Sequence, residues 1–245
     1  EKNFIEFLNL LGITRDPAVP ASTFLTYRLD PGKSPTILPK GSLAATQQTE
    51  KEEGIVFETD EDLKILPINL IEALFIRKVN GDTRYKNVTS NFVSSPSSKM
   101  TLRVTSSESI MIILGFDSPS TEDISLLFGF DKQIQTDTGD VPINVTWLYP
   151  KNTSEPMLTE KSWSNISEIT DETNIFQKNG NISLKVPGDW TKQNPGDWSY
   201  ISPDSEIDKV TQPLFWIGLR ISNPRSNELN IALHHILFNS VSATN

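Results

Sequence analysis

Cysteine is absent from this 245-residue chain and histidine occurs only twice, so the side chains behind most redox and metal chemistry are nearly missing. Without cysteine there is no disulfide, no zinc–thiolate centre and no thiol nucleophile, a composition that fits assembly in a reducing cytoplasm. Basic residues are in deficit: 22 Lys and Arg stand against 31 Asp and Glu, giving a net charge of -9 and a pI near 4.8. Phosphate surfaces are bound by clustered Lys and Arg, so the balance argues against a nucleic-acid or anionic-membrane face and assigns the excess acid to solubility. Long apolar runs are lacking. The longest, around residues 110–116 and 70–76, fall far short of the roughly 20 residues that span a bilayer. No signal-like apolar region follows Glu1. The missing initiator Met, and an end just after a strand-like run, suggest a piece of a longer protein. Catalytic signatures are missing as well: no P-loop, no G-x-G-x-x-G and no G-x-S-x-G elbow occurs.

What is present is β-type alternation broken by turns. One helix is predicted, over residues 3–12, where Phe4, Phe7, Leu8 and Leu11 form a single stripe between an Asn3 cap and a Gly12 stop. Residues 17–20 hold two prolines that end it. Extended segments follow at 24–29, 37–46 and 55–60. Segments 70–79 and 82–88 flank Asn80 and Gly81, the pair best suited to a type I′ hairpin turn. Segments 100–105 and 109–116 read as a second hairpin, and 175–178 with 181–186 flank another Asn-Gly. Further strands are expected at 123–131, 142–149, 214–221 and 230–238, with a polar loop at 132–141 and an ordered loop at 187–212. The Ser- and Pro-rich stretch 89–99 is the natural boundary. The predicted fold is therefore all-β, mainly β with one short N-terminal helix, as a β-sandwich or jelly-roll. Residues 1–95 would form a helix plus a small β domain and 96–245 a β-sandwich domain, unless both share one composite sheet.

Candidate chemistry is thin. Asp60, Glu61 and Asp62 form the densest acidic cluster, but three consecutive residues at a strand end do not converge as calcium ligands must. Asp137, Gly139 and Asp140 read the same way, and Asp171, Glu172, Glu206 and Asp208 offer no defined carboxylate pair. His234 and His235 are adjacent; on a regular strand they point to opposite faces, one to the core and one to solvent, and cannot readily share a metal. Five N-x-S/T triplets, at Asn87, Asn144, Asn152, Asn165 and Asn181, matter only in a eukaryotic secretory context. No catalytic residue, metal or cofactor is expected.

All five tryptophans lie in the second half. Trp147 and Trp216 sit inside apolar alternating segments and read as core. Trp163, Trp190 and Trp198 sit in polar, turn-rich segments and read as exposed contact surface, for a neighbouring subunit or for stacking a sugar ring. The tetrapeptide PGDW occurs at 187–190 and again at 195–198.

The order of motifs carries a resemblance. The chain runs EFLNLLGITRDPAVPA, an extended segment, ILPKGS, AAT, a charged loop and VFETDEDL. It continues with LGFD and SLLF (residues 114–117 and 125–128), Ser162 and Trp163, TDET at 170–173, NGNI at 179–182, VPGDW at 186–190, FWIGLR at 215–220, and an exit segment over 236–243. In this order the series resembles the baseplate assembly protein family of contractile phage tails and phage-tail-like injection systems, over nearly the whole chain. Gly218 departs from the family pattern, where an Arg is common, and the 187–212 loop is long. The resemblance implies a non-enzymatic structural subunit acting through protein–protein contacts with other wedge, sheath or hub subunits. It would assemble in the cytoplasm into a baseplate, and this portion alone would be monomeric or weakly associating. The alternative is a carbohydrate-binding β-sandwich used in host or surface recognition.

Overall fold

The computed structural model describes residues 20–245 apart from 31, 50–52, 80, 95–98, 106–108, 131–142, 152–162, 199 and 225–228. The predicted helix at 3–12, the loop at 132–141, and Asp137, Gly139 and Asp140 lie outside the described residues.

Alternating apolar residues become strands as the pattern predicts, and the class is all-β. Two large sheets pack across one core. The first runs in the order β13 (Ile169–Asp171), β14 (Gly180–Leu184), β10 (Ile124–Phe130), β18 (Leu229–Phe238) and β8 (Met100–Val104). The second runs β12 (Trp163–Asn165), β11 (Asn144–Pro150), β17 (Leu214–Ser222), β9 (Ser109–Phe116), β6 (Leu70–Val79), β7 (Asp82–Asn87) and β16 (Ser202–Pro203), with β15 (Lys192–Gln193) beside β17. Between them lie Leu126, Phe128, Ile231 and Leu233 from the first sheet, and Ile112, Leu114, Ile217 and Leu219 from the second. Each such side chain contributes about 1.5–3 kcal/mol when fully buried.

Strand β17, LFWIGLRIS, is apolar on both faces because both are covered. Phe215, Ile217, Leu219 and Ile221 point into the sandwich, while Leu214 and Trp216 join an outer cluster with Trp198, Ile201 and Val210 of the 187–212 loop. That loop is a third layer. Gly218 leaves room for side chains of the neighbouring strands that pack in the same outer cluster: a Cβ there would come within 2.1 Å of Met111 Cε on β9 and 3.1 Å of the Trp163 ring on β12.

A smaller four-stranded sheet has the order β1 (Ser22–Thr26), β19 (Ser240–Thr244), β4 (Val56–Thr59) and β3 (Leu43–Ala45). With the two-stranded ladder of β2 (Thr36–Leu38) and β5 (Leu63–Ile65), it encloses a separate cluster of Leu63, Ile65 and Val241 against Leu25, Tyr27, Leu29 and Leu38. The link between β18 and β19 is Asn239, in the left-handed region at φ 51° and buried. Its amide grips the Leu66 backbone at both ends: Leu66 N–H donates to Oδ1 at 3.0 Å, and Nδ2 donates to the Leu66 carbonyl at 2.8 Å.

Three expectations are corrected. Residues 100–116 do not form a hairpin: β8 pairs β18 in one sheet while β9 pairs β6 and β17 in the other, so the chain crosses the sandwich there. Residues 175–178 are not a strand. Asn174, Ile175 and Phe176 adopt φ of 53°, 54° and 64°, a left-handed turn, and β14 pairs β13 instead. Finally, strands from both sides of residue 95 share sheets, β6 with β9 and β1 with β19, so a division into 1–95 and 96–245 does not follow the architecture. The 80–81 hairpin does form, with Gly81 at φ 91° joining β6 to β7.

Candidate functional site

The three loop tryptophans predicted as contact surface are buried. Trp163 is 8% exposed, Trp190 5% and Trp198 2%, so none offers a ring to a partner or a sugar. Polar sequence around Trp190 and Trp198 belongs to turns that aim the rings inward, and Trp163 opens the edge strand β12. In both PGDW repeats the Trp N–H donates to the Pro carbonyl at 3.1 Å, Trp190 to Pro187 and Trp198 to Pro195. The two turns then serve opposite faces of β17. Trp190 enters the sandwich core against Phe215 and Phe116, its Nε1 donating to the Trp216 carbonyl at 2.8 Å. Trp198 enters the outer cluster edge-on to Trp163 and Trp216, and its Nε1 has no hydrogen-bond partner among the described residues. Trp147 and Trp216 are core residues as expected.

The carboxylates are occupied in holding the backbone. Asp60 accepts from the Thr244 hydroxyl at 2.9 Å, and Asp62 accepts from the Lys40 N–H at 2.7 Å. Asp171 organises the left-handed turn: Oδ1 accepts from Thr173 N–H and hydroxyl at 2.7 and 2.6 Å, and Oδ2 accepts from Ile175 N–H at 3.0 Å. Asp208 accepts from Asn87 N–H at 2.9 Å, and the Ser205 hydroxyl beside it holds its carboxyl below the usual range. Among the described residues, no group of three or more His, Cys, Asp or Glu side chains could hold a metal ion.

The histidines depart most from expectation. On β18, Ile231 and Leu233 face the core, but so do Ile236 and Phe238, so the inward parity changes between 233 and 236. The cause is a bulge: Gly129 pairs with His235 and Phe130 with Leu233, which leaves His234 without an opposite residue. Both imidazoles therefore turn to the outer side of the sheet, with their Nδ1 atoms 3.1 Å apart. His235 lies flat over Gly129, where a Cβ would come within 2.2 Å of its ring, and edge-on to Phe24 of β1 at 4.7 Å. Its Nε2 is buried without a hydrogen-bond partner among the described residues, and burial, then the neighbouring His234, pushes its pKa down to about 4. The signal was in the sequence: in IALHHILF the period-two apolar pattern slips by one residue across the His pair.

These rings form part of the wall of a groove of about 1600 Å³ between the small sheet and the outer face of the five-stranded sheet. Phe24 and Arg28, Glu61, Asn69 and Asn181 also line it. A second surface feature is the edge strand β3. Leu43 is 70% exposed, Ile55 49% and Val56 45%, with Val56 directly opposite Ala45. The bonds Thr59 N–H to Ser42 carbonyl and Thr46 N–H to Ile55 carbonyl set the alternation, so the backbone groups of Leu43 and Ala45 face away from β4. Among the described residues nothing pairs with that outer side. No helix of the described residues is long and apolar enough to cross a membrane.

Compared with known proteins, the chain matches no family model and no curated protein.

Proposed function

We propose that this chain is a structural, non-enzymatic assembly component of the baseplate of a contractile phage tail or phage-tail-like injection system. Its contacts with wedge, sheath or hub subunits are made through an open sheet edge. The observation that carries the reading is β3, a short edge strand whose outer backbone groups pair with nothing among the described residues, beside an exposed aliphatic cluster of Leu43, Ile55 and Val56. An edge of this kind accepts a partner's extended segment by backbone pairing, with side chains adding specificity. The ordered motif series supports the family, and several of its elements have structural work to do: the Trp of VPGDW in the core, Asp171 in its turn, Asn239 at the exit.

The rival reading, a carbohydrate-binding sandwich, needs exposed aromatic rings beside polar groups. The large hydrophobic side chains exposed among the described residues are all aliphatic.

The test is affinity purification of the full-length protein, co-expressed with the products of its neighbouring genes, read by mass spectrometry. Wedge, sheath or hub subunits should co-purify, and Leu43→Glu should cut their recovery several-fold while leaving the circular dichroism spectrum unchanged. Recovery of no such subunit, with the protein monomeric and binding glycans on an array, replaces the proposal with the carbohydrate reading.

A further inference from the structure

We propose that His234 and His235 form a two-imidazole site for a divalent transition ion of the Cu²⁺, Ni²⁺ or Zn²⁺ class, set in the wall of the groove beside β1.

The placement is the main ground. A regular strand would separate the two side chains onto opposite faces, and the bulge against Gly129 brings them to one face instead. At an Nδ1–Nδ1 distance of 3.1 Å, metal–nitrogen bonds of about 2.0–2.1 Å would subtend an angle of about 100° at a shared ion. That value lies between the square-planar and tetrahedral arrangements these ions adopt. The ring planes are inclined by 58°, not stacked face to face. His234 is only half-buried, and a small ring rotation completes the aim.

Availability is the second ground. Without an ion, the two nitrogens can share one proton in an N–H···N bond; a binding ion displaces that proton to solvent and sits off the nitrogen–nitrogen line. The seat is rigid: Gly129 on one side and Phe24 on the other fix the His235 ring. Two protein nitrogens leave the remaining coordination positions open toward the groove, where water or a carboxylate of an incoming ligand can complete the sphere.

Composition makes the test clean. The chain has no cysteine and no other histidine, so imidazole coordination can have no other origin. Tag-free protein is titrated with Cu²⁺ at pH 7.5 and followed by calorimetry and electron paramagnetic resonance. The expected result is one equivalent bound, with hyperfine structure from two imidazole nitrogens on one copper. His234→Gln should lower the affinity at least about tenfold, the smallest loss usual for a group that supports a metal site, and leave one imidazole nitrogen. A wild-type spectrum with one imidazole or none overturns the proposal whatever the variant does. So does equal affinity in the two proteins.

Discussion

At the scale of single residues, the most consequential choice is a neutral imidazole where the core meets the small sheet. Folded His235 takes up its proton only near pH 4, whereas the unfolded chain does so near 6.5. Between these values the unfolded state holds more protons, so stability is complete above about pH 6.5 and is lost as pH falls toward 4. The loss is on the order of 3 kcal/mol at the full shift. Urea titrations at pH 7.5, 5.5 and 4.5 should show this slope in the native protein and a shallower one in His235→Gln, which removes the titrating group while the carboxylates stay. Equal slopes would mean that the ring ionises freely and that its seat over Gly129 does not exclude charge. Ile175 is the second unusual residue. A β-branched side chain at φ 54° is costly. The turn is held by the three hydrogen bonds to Asp171, by Phe176 N–H donating to the Thr173 hydroxyl, and by Phe176 stacking on Phe128.

At the scale of elements, the two PGDW turns are a pair of clamps on the two faces of one central strand, and they differ in one atom. Trp190 Nε1 is hydrogen-bonded to the Trp216 carbonyl, while Trp198 Nε1 is buried and has no partner among the described residues. Replacing either ring by Phe removes similar volume, so the difference between the variants isolates the hydrogen bond. Trp190→Phe should cost about 1–2 kcal/mol more than Trp198→Phe in chemical denaturation, because only the first loses a bond and leaves a buried acceptor. Equal losses would assign both rings to packing alone. Strand existence was legible in the chain: alternation and turn dipeptides located β6, β7, β9, β10, β17 and β18 within a residue or two. Partnership was not. Residues 100–116 contain two good strands, but nothing local says that they belong to different sheets. The tryptophans failed for a related reason, since burial depends on what a polar loop is folded onto, and that surface is made by strands far away in sequence. The histidine bulge is the one miss whose signal was local, a slipped apolar period that a strict two-residue alternation overlooks.

At the scale of the whole molecule, the sheets are woven from both ends of the chain. β19, which ends at Thr244, sits between β1 and β4, and β6 lies next to β9. The sandwich and the small sheet should therefore melt together: calorimetry should give one transition whose calorimetric and van't Hoff enthalpies agree. Two separable transitions would instead restore an independent N-terminal domain. The Asn239 link gives this arrangement a mechanical meaning. Tension that draws the small sheet away from the sandwich runs along two covalent paths, one out of β18 through Asn239 into β19 and one out of β6 through residues 66–69 to β5 and β4. The Asn239–Leu66 amide pair ties the two together. The two strands flanking β19 grip it unequally, with five paired residues on β1 and two on β4. Of the two ladders on β19, the one to β4 is the shorter and the weaker. The flank that bears the exposed Leu43 and Val56 is thus joined to the rest of its sheet by the shortest grip in it, and can shift on β19 at the least cost in backbone pairing.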